Sequence, residues 1–158
     1  MPDLKPKSPS ESQVEMTEMV LPNDANVLGN VLGGRVMHWI DLAGAIAAHR
    51  HCNSICVTAS IDGLSFLNPI KVGQLAHLTA KVVFTGSTSL VTKVEVFSED
   101  MDTGDNKKTS EAFLAFVSLD KNGKPQTVPP LLVQTDEEKV NCEKALTFKK
   151  ERKNREKR

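Results

Sequence analysis

Asp41 is a single carboxylate in a stretch of chain that is otherwise largely apolar. Burying an ionised carboxylate is costly unless the group is paired or hydrogen-bonded, so this residue requires a partner or a task. If the stretch is helical, His38 lies three residues before it, and Ala45 and Ala48 lie four and seven residues after it. An imidazole and two small side chains beside an acid leave room for a ligand, which favours a catalytic carboxylate. An acid anchored by a backbone amide or a salt bridge would fit the same pattern.

Gly33 and Gly34 offer a second kind of chemistry where the same helix begins. Glycine lets a ligand approach the backbone closely, and the free N–H groups of a first helical turn can stabilise an oxyanion. The pair alone is a weak signal, because glycines before helices are often only turns. Together with Asp41 it predicts part of a site.

Helical geometry limits how these residues can act together. Gly33 and Asp41 are eight residues apart, which corresponds to about 12 Å along one helix at roughly 1.5 Å per residue. A catalytic group must come within about 3 Å of the reacting atoms, so one reacting group cannot reach both residues of a single chain. If both are used, they come from two subunits whose helices pack antiparallel across a two-fold axis.

The elements that must position these residues follow from periodicity and turn signals. Residues 35–49 are helix formers without proline, preceded by a glycine- and asparagine-rich loop over residues 26–34. Apolar side chains cover most of this helical wheel, which predicts a largely buried helix. A first strand, at a sheet edge, is predicted over residues 12–21, and the polar stretch 100–108 is predicted to be a turn. Four further strands are predicted over residues 55–66, 75–84, 89–97 and 110–119.

The short connections between these strands favour antiparallel neighbours. We therefore expect an α+β fold in which a five-stranded antiparallel sheet wraps around one long helix. Residues 1–10 are interpreted as a flexible leader, residues 11–133 as the folded domain, and residues 134–158 as a charged C-terminal helix. Acids come first and bases last in this tail, an order that suits the helix macrodipole.

Composition excludes several classes of function. The 158 residues include 20 Lys plus Arg and 20 Asp plus Glu, so the formal net charge of +0 supplies no field toward nucleic acid or membranes. The longest apolar run, residues 42–48, is far shorter than the roughly 20 residues that span a bilayer, and no secretory signal is evident. Three cysteines without C-x-x-C spacing indicate a reducing compartment. We predict a cytoplasmic protein that does not insert into membranes.

Two further clusters have simpler interpretations. His49, His51, Cys52 and Cys56 would suggest zinc, but their spacings differ from the usual ligand pairs, so we interpret them as cap and core residues and predict no metal. The basic run at residues 149–158 could tether RNA, but it contains almost no aromatic residues and the chain has no tyrosine. We interpret the run as a solvated helix face and predict no nucleic-acid partner.

Several motifs along the chain combine into one pattern. C-V-T-A-S-I-D at residues 56–62 and G-S-T-S-L at residues 86–90 follow a stretch that contains Pro22, Asn26, Gly29, Gly33, Gly34, Met37, Trp39 and Asp41. This combination resembles the hotdog-fold acyl-CoA hydrolases, which include small bacterial acyl-CoA thioesterases and the tandem hotdog domains of the animal cytosolic acyl-CoA hydrolases. The resemblance runs from about residue 16 to about residue 150 and implies a hotdog fold.

The resemblance also implies roles for individual residues. Asn26 and Asp41 fall on the family's two catalytic positions, in sites shared between paired hotdog units. Asp41 would act as a general base on water or attack the thioester directly, while Asn26 and an amide of Gly33, Gly34 or Arg35 would hold the carbonyl and the water. The sequence does not choose between base and nucleophile. We expect His38 to orient Asp41 or to face the interface.

The family's contacts with coenzyme A map by the same motifs onto two strands and the C-terminal helix. Ala59, Ser60 and Ile61 belong to the second strand, and Thr88, Ser89 and Leu90 begin the fourth. Lys150, with Lys149 and Arg152 as neighbours, would meet the nucleotide phosphates.

The expected function is hydrolysis of fatty acyl-CoA to a free fatty acid and coenzyme A, a step in fatty acid metabolism. No cofactor is required, because coenzyme A is part of the substrate and the product. We expect a homodimer as the catalytic unit and a trimer of dimers, a hexamer, as the assembly. Met37, Ile40 and Phe66 are candidates for setting the depth of the acyl pocket. The alternative is a module that binds acyl-CoA without hydrolysing it.

Overall fold

The computed structural model describes residues 4–157, which form five strands and two long helices. In chain order these are β1 (Val14–Met19), α1 (Gly33–Cys52), β2 (Cys56–Phe66), β3 (Leu75–Thr85), β4 (Ser89–Glu99), β5 (Asn106–Ser118) and α2 (Asp136–Glu156). The strands form one antiparallel sheet in the order β1-β3-β4-β5-β2, so β1 and β2 are its edges. The predicted fold, a five-stranded antiparallel sheet around one long helix, is confirmed.

Small residues let α1 lie close to the sheet. Ala43 and Ala47 are fully buried in the core that α1 forms with the sheet. At Gly44 a Cβ would stand 2.8 Å from the Thr92 hydroxyl and 3.3 Å from the ring of Phe116. Glycine is therefore required where the middle of the helix meets β4 and β5.

One side of α1 is not covered by the sheet. Met37 and Leu42 remain 39% and 42% exposed, whereas Ile40 between them is fully buried. The prediction of a largely buried helix is therefore wrong for the single chain, because the sheet covers only part of the helical wheel. An exposed apolar strip remains along the helix that carries Asp41.

The element bounds differ from the predicted ones at several points, among them the two ends of α1 and the start of β5. α1 begins at Gly33, two residues early, and ends at Cys52, where Asn53 adopts the left-handed conformation (φ 53°) and donates its N–H to the His49 carbonyl. β5 begins at Asn106, within the polar stretch predicted as a turn, because the pairing of Glu99 with Asn106 continues the β4–β5 ladder. Hydrogen bonding of the backbone outweighs the polarity of the side chains there.

The helix α2 packs on the opposite face of the sheet, and the predicted C-terminal helix is confirmed. Its N-terminus carries a capping box, in which Glu138 donates its N–H to Thr135 Oγ1 (3.1 Å) and accepts the Thr135 N–H through Oε1 (3.2 Å). Ala145 is buried against the sheet, and the Phe148 ring lies 5.1 Å from that of Phe113. Within residues 4–157, neither helix combines the length and the apolar character needed to cross a membrane.

Residues 1–3 of the predicted leader and residue 158 of the predicted tail lie outside the described residues. Lys7, inside the predicted leader, donates through Nζ to the His51 carbonyl (2.8 Å) and to Asn53 Oδ1 (2.7 Å). Its backbone N–H also donates to the Pro130 carbonyl at 2.9 Å. These bonds attach this part of the leader to the end of α1, while the division into leader, domain and tail stays a prediction.

His51 is a fully buried histidine near the end of α1. Its Nε2 lies 2.7 Å from the Pro129 carbonyl oxygen, and within residues 4–157 its Nδ1 has no hydrogen-bond partner. Burial lowers the pKa of His51 below its ordinary value of 6.5; Lys7 acts in the same direction, and the bond to Pro129 and the charge of Glu11 oppose it. The folded protein therefore holds a neutral ring that donates its Nε2 proton to the carbonyl.

We predict that His51 makes the protein less stable in acid. The unfolded chain binds a proton at His51 near pH 6.5 and the folded chain only at lower pH, so the contribution is complete above about pH 6.5 and lost as the pH falls through the folded pKa. Urea unfolding between about pH 8 and pH 5 measures this loss. His51→Gln, which keeps an N–H for Pro129, should flatten the pH dependence, whereas the exposed His49→Gln should not. Equal slopes in the two variants would contradict the assignment.

Candidate active site

Asp41 lies half-buried on α1 and is held by a hydroxyl group of β2. Thr58 Oγ1 donates a hydrogen bond of 2.6 Å to Asp41 Oδ1. This bond fixes the orientation of the carboxylate and engages one of its oxygens, which leaves Oδ2 able to accept a proton. His38 is exposed and, within residues 4–157, forms no hydrogen bond with Asp41, so the expectation that it orients the acid is wrong. Thr58 is not among the site residues predicted from the sequence, although it lies within the C-V-T-A-S-I-D motif.

Asn26 closes the loop that leads into α1. Its side-chain oxygen accepts the N–H groups of Leu28 (2.9 Å) and Asn30 (3.2 Å), and its own N–H donates to the Asn30 carbonyl (2.9 Å). The oxygen of the amide is therefore engaged within the loop. The N–H groups on Nδ2 are what the Asn26 side chain can offer to a ligand.

The first turn of α1 lacks a capping side chain. Leu32 occupies the N-cap, and its carbonyl accepts the N–H groups of Arg35 (3.0 Å) and Val36 (3.2 Å). In the described part of the chain, no acceptor lies on the N–H groups of Gly33 and Gly34. Of the three amides predicted to hold a carbonyl, those of Gly33 and Gly34 are available, and that of Arg35 is engaged within the helix.

A cavity of about 300 Å³ brings Asn26 and Gly33 together. Asp41 is not among its lining residues, and Gly34 lines a separate groove with His38 and Arg35. Because α1 is continuous from Gly33 to Cys52, Asp41 stands about 12 Å from Gly33 along the helix axis. One chain therefore holds the two halves of the predicted catalytic set apart.

A β-bulge lets β2 serve both faces of the sheet. Thr58 pairs with Phe116, whose side chain faces α1, whereas Ser60 pairs with Ala115, which packs on the α2 side. The register shifts between Thr58 and Ser60, so Ala59 is the extra residue. Without the bulge, Thr58 and Ser60 would point to the same face, because side chains alternate between the faces along a strand.

The two strand segments predicted to contact coenzyme A lie at the same end of the sheet. Ser89 pairs with Val117 of β5, and Val117 pairs with Val57 on the other side. The segments at residues 59–61 and 88–90 are therefore separated by the single strand β5. Leu90, by contrast, is fully buried in the core, its backbone as well as its side chain.

The C-terminal half of α2 reaches both segments. Asp62 of β2 forms ion pairs with Arg152 (2.9 Å) and Arg155 (3.2 Å), next to the predicted contact residue Ser60. The Phe148 ring rests against Gly63, where φ is +62° and a Cβ would stand 2.7 Å from the ring. Only glycine at position 63 leaves room for the ring, since any Cβ there would clash with it.

Lys149, rather than Lys150, approaches the turn before β4. Its Nζ lies 5.1 Å from the centre of the Phe84 ring, and a Cβ on Gly86 would stand only 3.2 Å from this nitrogen. Partial burial lowers the pKa of Lys149, and the charges of Lys153 and Arg152 lower it further. Lys150 is exposed. The positive charge of Lys149 is therefore held next to residues 86–89.

The residues considered for zinc have other contacts. His51 donates to the Pro129 carbonyl, and the Cys56 thiol lies 3.7 Å from the Ser54 carbonyl oxygen. Among residues 4–157, no three His, Cys, Asp or Glu side chains lie together in a way that could hold a metal ion.

Comparisons with known proteins give a consistent picture. A model of the thioesterase superfamily matches residues 28–104. The chain is 39% identical over 145 residues to the uncharacterized acyl-CoA thioester hydrolase YkhA of Bacillus subtilis, a match that covers 92% of this chain and 84% of that protein. It is 36% identical over 145 residues to the cytosolic acyl coenzyme A thioester hydrolase of Mus musculus, covering 87% of this chain and 38% of the mouse protein. The chain thus spans well under half of that longer relative.

Solved structures share the whole fold. An apo-hexameric acyl-CoA thioesterase superposes with a TM-score of 0.91 at 40% identity, covering 96% of this chain and 97% of that one. The acyl-CoA hydrolase of Staphylococcus aureus, in complex with butyryl coenzyme A, coenzyme A and coenzyme A disulfide, gives a TM-score of 0.88 at 35% identity, with 95% and 92% covered. That enzyme has also been solved with alanine in place of an Asp, an Asn or a Thr.

Proposed function

This chain belongs to the acyl-CoA thioester hydrolases of the hotdog-fold thioesterase superfamily, and from this membership we propose that it hydrolyses fatty acyl-CoA in a site shared between two subunits. The products are a fatty acid and coenzyme A. The observation that carries the proposal is the carboxylate of Asp41, which is held by Thr58 on a helix whose neighbouring side chains are mostly apolar.

The spacing of the substituted residues in the Staphylococcus aureus enzyme supports the assignment of this site. There the alanine variants replace an Asn, an Asp fifteen residues later and a Thr seventeen residues after that. Asn26, Asp41 and Thr58 have the same spacing in this chain. We therefore assign to Asn26 and Asp41 contacts with the reacting atoms, and to Thr58 the positioning of the carboxylate.

In the proposed mechanism Asp41 acts as a general base. A water attacks the thioester carbonyl carbon and gives a proton to Asp41 Oδ2, while Thr58 holds Oδ1. The carbonyl oxygen becomes an oxyanion that accepts hydrogen bonds from Asn26 Nδ2 and the Gly33 N–H of the partner subunit. When the intermediate collapses, the carbon–sulfur bond breaks, and the thiolate takes the proton from Asp41. Asp41 is thereby regenerated, and the fatty acid leaves.

Exposed apolar surface supports the pairing of subunits. β2 is an edge strand, and Met37 and Leu42 form an exposed apolar strip on α1. An isologous contact across a two-fold axis through this surface would cover the edge and the strip, and would bring α1 of one chain antiparallel to α1 of the other. His38 then faces the interface. A trimer of such dimers agrees with the apo-hexameric thioesterase.

Coenzyme A contacts are proposed along the end of the sheet that α2 crosses. The pantetheine lies along residues 59–61 and 88–90, and the nucleotide phosphates meet the basic end of α2. We assign the phosphate contact to Lys149, with Lys150 as its exposed neighbour, because Arg152 and Arg155 already pair with Asp62. The name of the mouse relative, a cytosolic enzyme, supports a cytoplasmic location.

Asp41→Asn should lower kcat by about 10²–10⁴-fold, because the amide keeps the shape of the side chain but cannot take a proton. Thr58→Val should lower kcat by roughly tenfold, because it frees the carboxylate without removing it. Release of the coenzyme A thiol from butyryl- and palmitoyl-CoA, followed with a thiol reagent, measures both effects. Asp102→Asn, in the turn between β4 and β5, is the matched control and should leave turnover unchanged.

Wild-type turnover in Asp41→Asn would reject the mechanism. Tight binding of acyl-CoA without hydrolysis in the wild-type protein would instead indicate a binding module.

Lys149→Met should raise KM for acyl-CoA by about tenfold or more, because it removes one charge-assisted contact with a phosphate. The same variant should leave KM for acyl-pantetheine unchanged, since that substrate lacks the nucleotide. Lys150→Met removes the same charge one residue later and should change neither value. A rise in KM confined to Lys150→Met would return the assignment to that residue.

A further inference from the structure

The cavity next to Asn26 and Gly33 has an apolar wall that is partly rigid. Val36 and Ile70 contribute to this wall and are only 2% and 1% exposed, since both also belong to the hydrophobic core. Close packing of a core leaves such side chains little freedom to move. Val31 and Leu67 also line the cavity and are less buried. Val36 and Ile70 therefore form the rigid part of the apolar wall, and the more exposed lining residues are less constrained.

Phe66 is one of these more exposed residues. It is the last residue of the edge strand β2 and is 52% exposed, although it lines the cavity. The tip of its ring points at the first residue of α1: its Cζ would lie 3.5 Å, and both Cε atoms 3.9 Å, from a Cβ on Gly33. The edge of this ring therefore lies beside Gly33, at the start of α1.

The size of the cavity bounds what fits inside. An apolar cavity of about 150 Å³ holds benzene, so this cavity of about 300 Å³, which opens to solvent and is also lined by Asn30, Asn68 and Ser110, has room for at most roughly ten to twelve carbon atoms. Ile40 and Met37, the other residues considered for acyl length, do not line this cavity: Ile40 is buried in the core, and Met37 lies on the exposed strip of α1.

We propose that this cavity receives the acyl group and that Phe66 limits its length, which makes the chain selective for acyl groups of up to about ten carbons. The inference rests on the proposed function and names its substrate class. The thioester carbonyl lies at Asn26 and Gly33, and the hydrocarbon packs against Val36 and Ile70. A longer chain must displace the Phe66 ring or leave methylene groups in water.

The test compares kcat/KM across saturated acyl-CoA substrates from acetyl to palmitoyl. The wild-type protein should reach its highest value at or below about ten carbons. Phe66→Ala should raise the ratio of palmitoyl to butyryl values by about tenfold, because one or two methylene groups in an apolar pocket change selectivity by that order. Phe66→Trp should move the preference to shorter chains. Met101→Ala, which removes an exposed apolar side chain from the turn between β4 and β5, should keep the wild-type profile.

Some results would overturn the proposed length limit alone, and another would overturn the proposed hydrolysis as well. A wild-type protein that hydrolyses palmitoyl-CoA best overturns the inference, as does an unchanged profile in folded Phe66→Ala and Phe66→Trp proteins of wild-type oligomeric state. If Phe66→Ala does not fold, Phe66→Leu takes its place. The preferred acyl length should then decrease from Phe66→Leu to wild type to Phe66→Trp, and any other order overturns the inference. A wild-type protein that hydrolyses no acyl-CoA overturns the proposed function as well.

Discussion

The rise of a single α-helix is the constraint on which this site depends. α1 runs without interruption from Gly33 to Cys52, so the N–H of Gly33 and the carboxylate of Asp41 stay about 12 Å apart unless helical hydrogen bonds break. The loop that carries Asn26 precedes the Gly33 end of the helix. The side-chain oxygen of Asn26 accepts N–H groups of the loop's own backbone and holds the loop in place. The start of the helix therefore carries one half of the proposed catalytic set, and the middle of the helix carries the other. Two antiparallel helices convert these halves into two equal sites, which makes oligomerisation a condition of the proposed chemistry.

In the proposed site, the edge strand β2 contacts both the acyl part and the coenzyme A part of the substrate. Before the bulge at Ala59, Thr58 faces α1 and holds Asp41; after it, Ser60 and Asp62 face α2. One strand thus serves the acyl-transfer chemistry on one face and the basic helix on the other. Phe66 ends the same strand beside Gly33. Because the edge is unpaired in the single chain, the residues of β2 are open both to a second subunit and to substrate.

The sequence predicted the elements well, because apolar periodicity and turn residues are local signals. It failed where a property depends on tertiary contacts. Exposure of Met37 reflects how far the sheet curls around α1, and the early start of β5 reflects pairing with β4. Thr58 was missed because a bulge decides which face it takes. The approach of Lys149 to Gly86 likewise depends on how α2 is turned, since one residue turns a side chain by about 100°, and the phosphate contact of Lys150 stays a prediction. Asp41 and Asn26, by contrast, can be singled out directly from residue type and motif, and their catalytic roles stay predictions.

The most direct measurement of the shared site is activity after subunit exchange between Asn26→Ala and Asp41→Ala chains, each inactive alone. With random pairing, half of the dimers contain one chain of each kind. Each of these mixed dimers has one site with neither substitution and one site with both. The account predicts that the mixture regains about a quarter of wild-type activity. Native mass spectrometry establishes that the chains have mixed. No regained activity in a mixture with demonstrated mixed dimers would mean that Asn26 and Asp41 act within one chain, and would contradict the account.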